Sequence, residues 1–326
     1  MKKQFFFLFP LTLIIPLSIF AQDTFSIVAV DSVTGEVGSA GATCLQAPNP
    51  AEGALFISDV IPGLGAMHTQ ALWESYNQQN GHTYMISGYM PEEILHEVNI
   101  SDIGADSTIR QYGIALFDAN GSPRTAAYTG VNCYDYKGQI VGYNYAIQGN
   151  IIINHALLDS IESGFLNTPG SLADKLMAAM QGANIPGADI RCLSEGVPSK
   201  SAFLRVAKPT DHPDSLSLHL VVKSRPDGMS PIDSLQTLFN EWKTTHPSSI
   251  ETTSDVNARI WPNPASSKIN IQFPSFESRM VSVTDMIGRT MEEKNCTGFC
   301  NISLTTYPKG MYFIRTGNSA YKFIVR

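Results

Sequence analysis

Thr24 is the residue whose type and position most clearly suggest chemistry. It lies three positions after Ala21, where a signal peptide is expected to end, and it opens a strand-like run that extends to Asp31. A threonine hydroxyl at a free amino terminus can act as a nucleophile, because its own α-amine titrates near ~8 and can accept the hydroxyl proton. The sequence therefore predicts an N-terminal nucleophile at Thr24.

This chemistry requires that nothing precede the nucleophile in the mature chain. Cleavage after Ala21 leaves Gln22 and Asp23 in front of Thr24. A further trimming step, or self-cleavage between Asp23 and Thr24, is then needed to free the α-amine. The alternative is that Thr24 is an ordinary β-branched strand residue, as threonines in strands usually are.

Two neighbours of Thr24 on the same run are candidates for the same site. Ser26 points to the same face as Thr24 in a regular strand, because strand faces alternate with a period of two. It either lines the site or makes an ordinary hydrogen bond. Asp31 is assigned with Thr24 as a catalytic residue that orients the amine. Its alternative role is to begin the following turn through an Asx hydrogen bond.

Two further segments carry polar groups that can surround a reacting carbonyl. Thr69 and Gln70 end a glycine-rich strand and are candidate donors to a developing oxyanion. Gln148, Gly149 and Asn150 leave a strand where a helix is expected to begin, so their backbone amides are candidates for the same task. The alternative for Asn150 is a plain helix N-cap.

Asp189 and Arg191 complete the set of candidate residues, in a polar loop rich in glycine. They either border the pocket or form a structural salt bridge, and both interpretations stay open. The seven histidines show no ligand spacing on one helix face, and neither a phosphate loop nor a dinucleotide fingerprint occurs. We therefore expect neither a metal nor a cofactor. A Ser-His-Asp triad assembles from distant positions and is not excluded.

The amino terminus predicts export. Lys2 and Lys3 form a positive region, 5–20 is apolar, and Ser18 to Ala21 ends it in the small-x-small pattern of a signal peptide. The alternative of a membrane anchor is disfavoured, because the stretch contains two prolines and is shorter than the ~20 apolar residues of a spanning helix. Removing the signal leaves 20 basic against 29 acidic residues. An acidic mature chain is a poor candidate for nucleic acid or anionic membranes.

The sequence contains five cysteines, so at least one lies outside any disulfide. Cys296 and Cys300 are close enough to form a small clip within a turn. The pairing among Cys44, Cys133 and Cys192 is left open.

The sequence of the first domain predicts separate blocks of strands and helices. A β-hairpin is expected over 24–44, turning near Thr34 and Gly35. Further strands are predicted at 63–69, 109–118, 124–129, 140–148, 202–208 and 216–223. Helices are predicted within 70–98, at 150–163 with Asn150 as its cap, from Ser171, and at 231–244. This segregation predicts stacked sheet and helix layers and disfavours a doubly wound parallel sheet.

The chain is expected to divide near its last helix. Residues 1–21 form the signal peptide, 22–246 the first domain, 247–257 a polar linker, and 258–326 a small β-sandwich of short strands.

The last of these segments resembles a known family through four ordered motifs. They are Ile260-Trp-Pro-Asn-Pro-Ala265, Asp285-Met-Ile-Gly-Arg289, Pro308-Lys-Gly-Met-Tyr-Phe-Ile314 and Lys322-Phe-Ile-Val-Arg326. The segment resembles the carboxy-terminal sorting domain of the type nine secretion system found in Bacteroidetes-like bacteria. The resemblance implies recognition of 258–326 by an outer-membrane translocon, and release or attachment at the outer cell surface after passage through the periplasm. The alternative is an accessory sandwich that binds carbohydrate or protein.

The first domain resembles domain-of-unknown-function family 1028 over about 24–224. The segments that carry this resemblance are Thr24–Asp31, Thr34–Gly38, Gly63–Ala66, Thr69-Gln70, Thr129-Gly130, Tyr145–Asn150 and Gly187–Asp189. That family is usually grouped with the N-terminal nucleophile hydrolases. The resemblance implies an α+β fold, with a four-layer α-β-β-α domain followed here by the small all-β sandwich tail.

The leading hypothesis is a secreted amide hydrolase that transfers an acyl group through Thr24. An extracellular peptide or peptidoglycan fragment is the suggested substrate, from the fold class alone. The alternatives are a non-catalytic surface module that binds a small molecule or peptide, and a structural protein. No nucleic acid partner and no transmembrane segment in the mature chain are expected.

Overall fold

The computed structural model describes residues 24–225, 228–246, 258–273, 278–286, 288–317 and 319–326. The expected signal peptide (1–21), Gln22, Asp23 and the expected linker (247–257) lie outside the described residues. The chain divides into a first unit, Met1–Thr245, and a second unit, His246–Arg326.

The first unit is a mixed structure of strands and helices. Its strands are β1 (Phe25–Val30), β2 (Val37–Thr43), β3 (Ser58–Ile61), β4 (Gly65–Ala71), β5 (Arg110–Phe117), β6 (Pro123–Thr129), β7 (Gly138–Val141), β8 (Tyr145–Gly149), β9 (Ser201–Ala207) and β10 (Leu218–Val222). Its helices are α1 (Ser75–Ile86), α2 (Pro91–Ile100), α3 (Ala156–Asn167), α4 (Leu172–Gly182) and α5 (Pro231–Thr245).

These strands form two antiparallel sheets. The larger sheet has the order β10-β9-β2-β1-β8-β7, and the smaller has the order β3-β4-β5-β6. In the larger sheet, β1 lies between β2 and β8, with Phe25 opposite both Ala42 and Gly149. The beginning of β1 is therefore flanked by the end of β2 and the end of β8.

Successive side chains along each strand point to opposite faces of its sheet, so the outer and inner faces of the two sheets belong to different apolar cores. Phe25, Ile27 and Ala29 pack with α3, α4 and α5 on the outer face of the larger sheet. Met67, Tyr112 and Ile114 pack with α1 and α2 on the outer face of the smaller sheet. The inner faces of the two sheets meet through smaller side chains, Val28, Val30, Val37, Val60, Ala66, Ala115, Ala146 and Ala207.

Local sequence signals explain where two of the helices begin. Pro91 occupies the first turn of α2, where its missing N–H costs nothing, and the Glu93 carboxylate accepts from the Met90 N–H at 2.8 Å. Ser171 and Asp174 form a reciprocal capping box at the start of α4.

Two expected elements differ in the structure. The strand expected at 140–148 is a hairpin of β7 and β8, because the chain turns at 142–144. The helix expected to start at Asn150 begins instead at Ala156, with His155 as its N-cap. Asn150 is therefore not a helix cap, and Ile151 after it has a φ of 50°, which breaks the regular backbone.

Two disulfides join cysteines of the described chain. Cys44 at the end of β2 bonds Cys192, and Cys296 bonds Cys300 as the clip expected from their spacing. Cys133 is buried, and its thiol donates to the Arg110 carbonyl.

The described part of the second unit is built of strands. They are β11 (Arg259–Trp261), β12 (Lys268–Gln272), β13 (Ser278–Asp285), β14 (Thr290–Thr297), β15 (Phe299–Ser303), β16 (Gly310–Thr316) and β17 (Ser319–Val325). They form one sheet in the order β11-β12-β15-β14-β13-β16-β17. Ala265, which follows β11, pairs with Val325 in β17, so the two ends of this order meet around a shared apolar core.

Candidate functional site

Thr24 lies immediately before β1 and is fully buried. Its carbonyl accepts from the Asn150 N–H at 3.1 Å and from Gln70 Nε2 at 3.2 Å. Continuing the register of β1 and β2 by one residue sets Thr24 opposite Thr43. Because paired residues in antiparallel strands share a face, the Thr24 and Thr43 side chains both face the smaller sheet, as Ser26 does.

Ser26 belongs to a polar layer between the two sheets. Its hydroxyl donates to Gln70 Oε1 at 2.6 Å and accepts from Gln148 Nε2 at 2.6 Å. His68 Nδ1 lies 2.8 Å from the same hydroxyl. These partners come from β4 in the smaller sheet and β8 in the larger sheet, so Ser26 is fixed by both sheets at once.

His68 continues this network away from Thr24. Its Nδ1 lies 3.0 Å from Gln148 Nε2, which can only donate, so Nδ1 is the acceptor and Nε2 carries the proton. Nε2 then donates to Ser39 Oγ at 2.6 Å. Ser39 is 2.8 Å from Ser58 Oγ, which accepts from Arg205 Nη1 at 3.1 Å. The polar layer therefore runs without interruption from Arg205 to Ser26.

Burial keeps His68 neutral. Desolvation, together with the nearby Arg205 charge, lowers the pKa of His68 to about 3. Burial also lowers the pKa of Arg205, although Asp59 opposes this shift. Ser26, His68 and Ser39 follow one another as a nucleophile, a base and an orienting group would, but the Ser26 proton is donated to Gln70 Oε1 and not to His68. All three residues are fully buried, which favours a positioning role.

Gln111 on β5 organises the amides next to Thr24. Its Oε1 accepts from Gln70 Nε2 at 2.7 Å and from Asn150 Nδ2 at 3.0 Å. Its Nε2 donates to the carbonyls of Gly138 and Gly149. The N–H groups of Gln70 and Asn150 therefore converge beside the Thr24 carbonyl.

A glycine makes room for this layer. Gly113 on β5 faces Gln148, and a Cβ at this position would overlap the end of the Gln148 side chain. Any larger residue at position 113 would therefore displace Gln148 from Ser26 and His68.

Asp189 and Arg191 lie at the end of the larger sheet where β1 begins. The buried Asp189 carboxylate accepts from the Cys44 N–H at 2.7 Å and from Arg191 Nη2 at 2.7 Å. Arg191 Nη2 also donates to Thr43 Oγ1 at 3.2 Å. These contacts bring the Arg191 guanidinium beside the threonine that is paired with Thr24.

The structure separates two expected residues from this site. Thr69 is buried on the opposite face of β4, on the side of Met67, because it alternates with His68 and Gln70. Asp31 follows the far end of β1, roughly 20 Å from Thr24 at about 3.3 Å per strand residue. Its carboxylate accepts from the Val33 N–H at 2.9 Å, so the geometry supports the turn alternative and not orientation of the amine.

The other expected residues come together around the start of β1. They are Thr24, Ser26, Gln70, Gln148, Gly149, Asn150, Asp189 and Arg191. Sequence reasoning missed Thr43, His68 and Gln111. Alternation along β4 was a usable signal for His68, because His68 and Gln70 are two residues apart and therefore share a face.

Other features of the described residues do not coincide with this site. No group of three or more His, Cys, Asp or Glu side chains in the described chain is placed to hold a metal ion. A cavity of about 880 Å³ lies between α3, α4 and α5, and one of about 540 Å³ lies beside Tyr89 and Phe117. None of the helices in the described ranges has both the length and the apolar character to cross a bilayer.

Comparisons with known proteins match each of the two units to a known family. Residues 24–233 match the model of a family of unknown function, DUF1028, and residues 259–326 match a secretion system C-terminal sorting domain. Among solved structures, the chain is similar to the crystal structure of a DUF1028 protein from Silicibacter pomeroyi. The two are 23% identical, the match covers 68% of this chain and 89% of that chain, and the TM-score is 0.54, a likeness of fold. No curated protein matches the chain.

Proposed function

The chain belongs to the DUF1028 family and carries a secretion sorting tail, and from this premise we propose that its first unit is an amide hydrolase with Thr24 as an N-terminal nucleophile. The substrate is an extracellular amide, such as a peptide or a peptidoglycan fragment. The layering of helices and sheets supports a relation to N-terminal nucleophile hydrolases, because Thr24 immediately precedes β1 and faces the space between the two sheets.

The arrangement around Thr24 carries the proposal. Its carbonyl is held by N–H donors from Asn150 and Gln70, which belong to opposite sheets. Thr24 is thus fixed on both sides, as a nucleophile must be to attack in a defined direction.

In the proposed reaction, the Thr24 hydroxyl oxygen attacks the substrate amide carbon while the Thr24 α-amine accepts the hydroxyl proton. The carbonyl π bond becomes an oxyanion, and the side-chain amide of Asn150, which donates one N–H to Gln111 Oε1, is the candidate donor for it. Collapse of this intermediate breaks the C–N bond, and the ammonium returns its proton to the departing amine. Water then hydrolyses the Thr24 ester by the same route.

The α-amine exists only after the Asp23–Thr24 peptide bond has been hydrolysed. Signal peptidase cleavage after Ala21 leaves that bond intact, so maturation includes a second cleavage. Hydrolysis adds one water and gives a carboxylate on Asp23 and a free amine on Thr24.

The sorting tail indicates a secreted protein. We assign residues 258–326 as the segment that an outer-membrane translocon recognises, after signal-dependent passage into the periplasm. The mature first unit is then released or attached at the outer cell surface. An extracellular substrate follows from this location.

A non-catalytic module is the second candidate, and one observation favours it. Thr24 and Ser26 are fully buried, whereas the cavity of about 880 Å³ between α3, α4 and α5 is open. A protein that binds a small molecule or peptide in that cavity would use the polar layer only for stability.

An acylation experiment separates these candidates. Secreted protein is incubated with p-nitrophenyl acetate, and peptide mass spectrometry locates the acetyl group. We expect one acetyl ester on the Thr24 hydroxyl, retained in Thr24→Ser and lost in Thr24→Ala. Thr83→Ala, which alters an exposed threonine on α1, is the matched control and should behave as wild type. Equal acetylation of Thr24→Ala and wild type would reject the proposal.

A further inference from the structure

The cavity of about 540 Å³ beside Tyr89 and Phe117, here named the distal pocket, lies at the end of the first unit away from Thr24. Its walls come from the β1–β2, β3–β4 and β5–β6 turns, from the connection between α1 and α2, and from Pro209 after β9. Thr24 precedes β1 and Ser32 follows it, so the two sites are roughly 20 Å apart at about 3.3 Å per strand residue. The distal pocket is therefore separate from the candidate catalytic site.

The distal pocket has an apolar floor and aromatic walls. Met85 and Leu116 are buried in the core on the outer face of the smaller sheet, and Leu64 packs against that core. These three side chains form the floor. Tyr89 is 39% exposed and Phe117 is half-buried, so both rings present surface to the pocket. A concave site of this volume, lined mainly by apolar and aromatic side chains, is typical of small-molecule binding.

Two glycines leave the mouth of the pocket open. A Cβ at Gly88 or at Gly121 would meet no protein atom within 4 Å, so the space beside each glycine is empty of side chains. Their φ values of 82° and 75° lie in the left-handed region, where other residues are strained. Gly35 differs, because a Cβ there would lie 2.7 Å from Pro209 Cγ. The pocket is therefore closed where Gly35 meets Pro209 and accessible past Gly88 and Gly121.

The lining offers no unpaired charge to a ligand. Asp118 alone is charged among the described residues that line the pocket. Its carboxylate accepts from the Asn120 N–H at 2.9 Å and the Ser122 N–H at 3.0 Å, and it pairs with Arg124 at 2.8 Å. Its side chain is only 9% exposed. A charged ligand would lose its hydration without gaining a counter-ion, so the pocket favours an uncharged one.

We propose that the distal pocket binds a small uncharged aromatic molecule. An aromatic ring can pack edge-to-face against Tyr89 and Phe117, and the thioethers of Met85 and Met90 provide favourable contacts to ring edges. The pocket reaches fully buried residues of the core, which a small molecule can contact and a flat protein surface cannot. This inference does not depend on the proposed function, because the pocket shares no residue with the site around Thr24.

Equilibrium dialysis with two probes tests this inference on the secreted full-length protein. The probes are 2-naphthol and 2-naphthoate at about pH 7, where the first is neutral and the second carries a negative charge. We expect saturable binding of 2-naphthol, with 2-naphthoate bound about tenfold more weakly or worse. Ala119→Trp places an indole at the exposed β5–β6 turn that lines the pocket, and it should weaken 2-naphthol binding about tenfold or more. Tyr89→Ala removes one aromatic wall and should weaken it several-fold.

Ala51→Trp is the matched control for the added indole. Ala51 is exposed in a turn and lines neither of the two cavities. This variant should bind 2-naphthol as wild type does, and circular dichroism establishes which variants are folded. If Ala119→Trp does not fold, Tyr89→Ala decides the matter.

Three results would overturn the inference. They are the absence of saturable 2-naphthol binding to wild type, equal binding of 2-naphthol and 2-naphthoate, and wild-type affinity in folded Ala119→Trp or Tyr89→Ala. Acetylation of Thr24 is measured separately at the other end of β1. Either the pocket or the hydrolase can therefore be rejected while the other is retained.

Discussion

His68 should make the first unit less stable in mild acid, and His68→Asn should remove that effect. The side chain is fully buried, and its pKa is lowered from an ordinary value of 6.5 to about 3. Between these two values the unfolded chain binds a proton that the folded chain does not. Stability therefore rises with pH across this range and falls as the pH drops below about 6.5.

The size of the effect follows from the two pKa values. The free energy of unfolding should change by at most about 1.4 kcal/mol per pH unit from this histidine. Between about pH 7.5 and about pH 4.5, the loss attributable to His68 is about 2–3 kcal/mol. Since carboxylates titrate in the same range, the quantity to compare is the difference between wild type and His68→Asn at each pH.

Urea unfolding measures this difference. Trp73 and Trp242 report on the first unit, and a Trp261→Phe background removes the tryptophan of the second. His212→Asn is the control, because the His212 side chain is 72% exposed. A stability difference between His68→Asn and its parent that stays constant with pH would refute the buried, neutral assignment of His68.

Three other perturbations follow from the structure. Removing the Cys44–Cys192 disulfide by Ser substitution should lower the free energy of unfolding by roughly 5 kcal/mol, because the disulfide closes a loop of sequence separation 148. Calorimetry measures this loss, and an unchanged melting temperature would contradict the prediction. Asp102→Asn leaves the buried guanidinium of Arg110 without its anion and should lower the free energy of unfolding in urea by about 3–5 kcal/mol. A loss of under about 1 kcal/mol would show that the pair is not buried. Deleting 258–326 should leave the protein in the periplasm, which cell fractionation detects, and undiminished secretion would exclude the sorting role.

Elements with strong local signals were predictable from the sequence. Ser171 marks a helix start through its capping side chain, and it is the N-cap of α4. The sorting tail was identified from its four motifs. The charged and polar side chains of β14 within it lack the alternation that predicts a half-buried strand.

The site was only partly predictable, because its contacts join distant parts of the chain. Gln111 and His68 acquire their roles from side chains up to 80 residues away, and no local pattern specifies those partners. The register that sets Thr43 opposite Thr24 also depends on pairing of whole strands. The helix expected at Asn150 failed because a buried asparagine that bonds Gln111 resembles a helix cap in sequence.

The amino-terminal residue of the active secreted protein decides whether Thr24 can act as an N-terminal nucleophile. Intact mass and amino-terminal sequencing are applied to the protein secreted by its native host, after purification by p-nitrophenyl acetate turnover. We expect a chain that begins at Thr24 with a free, labelable α-amine. A fully active chain that begins at Gln22 or Asp23 would contradict it, because Thr24 would then have no amine to accept its proton.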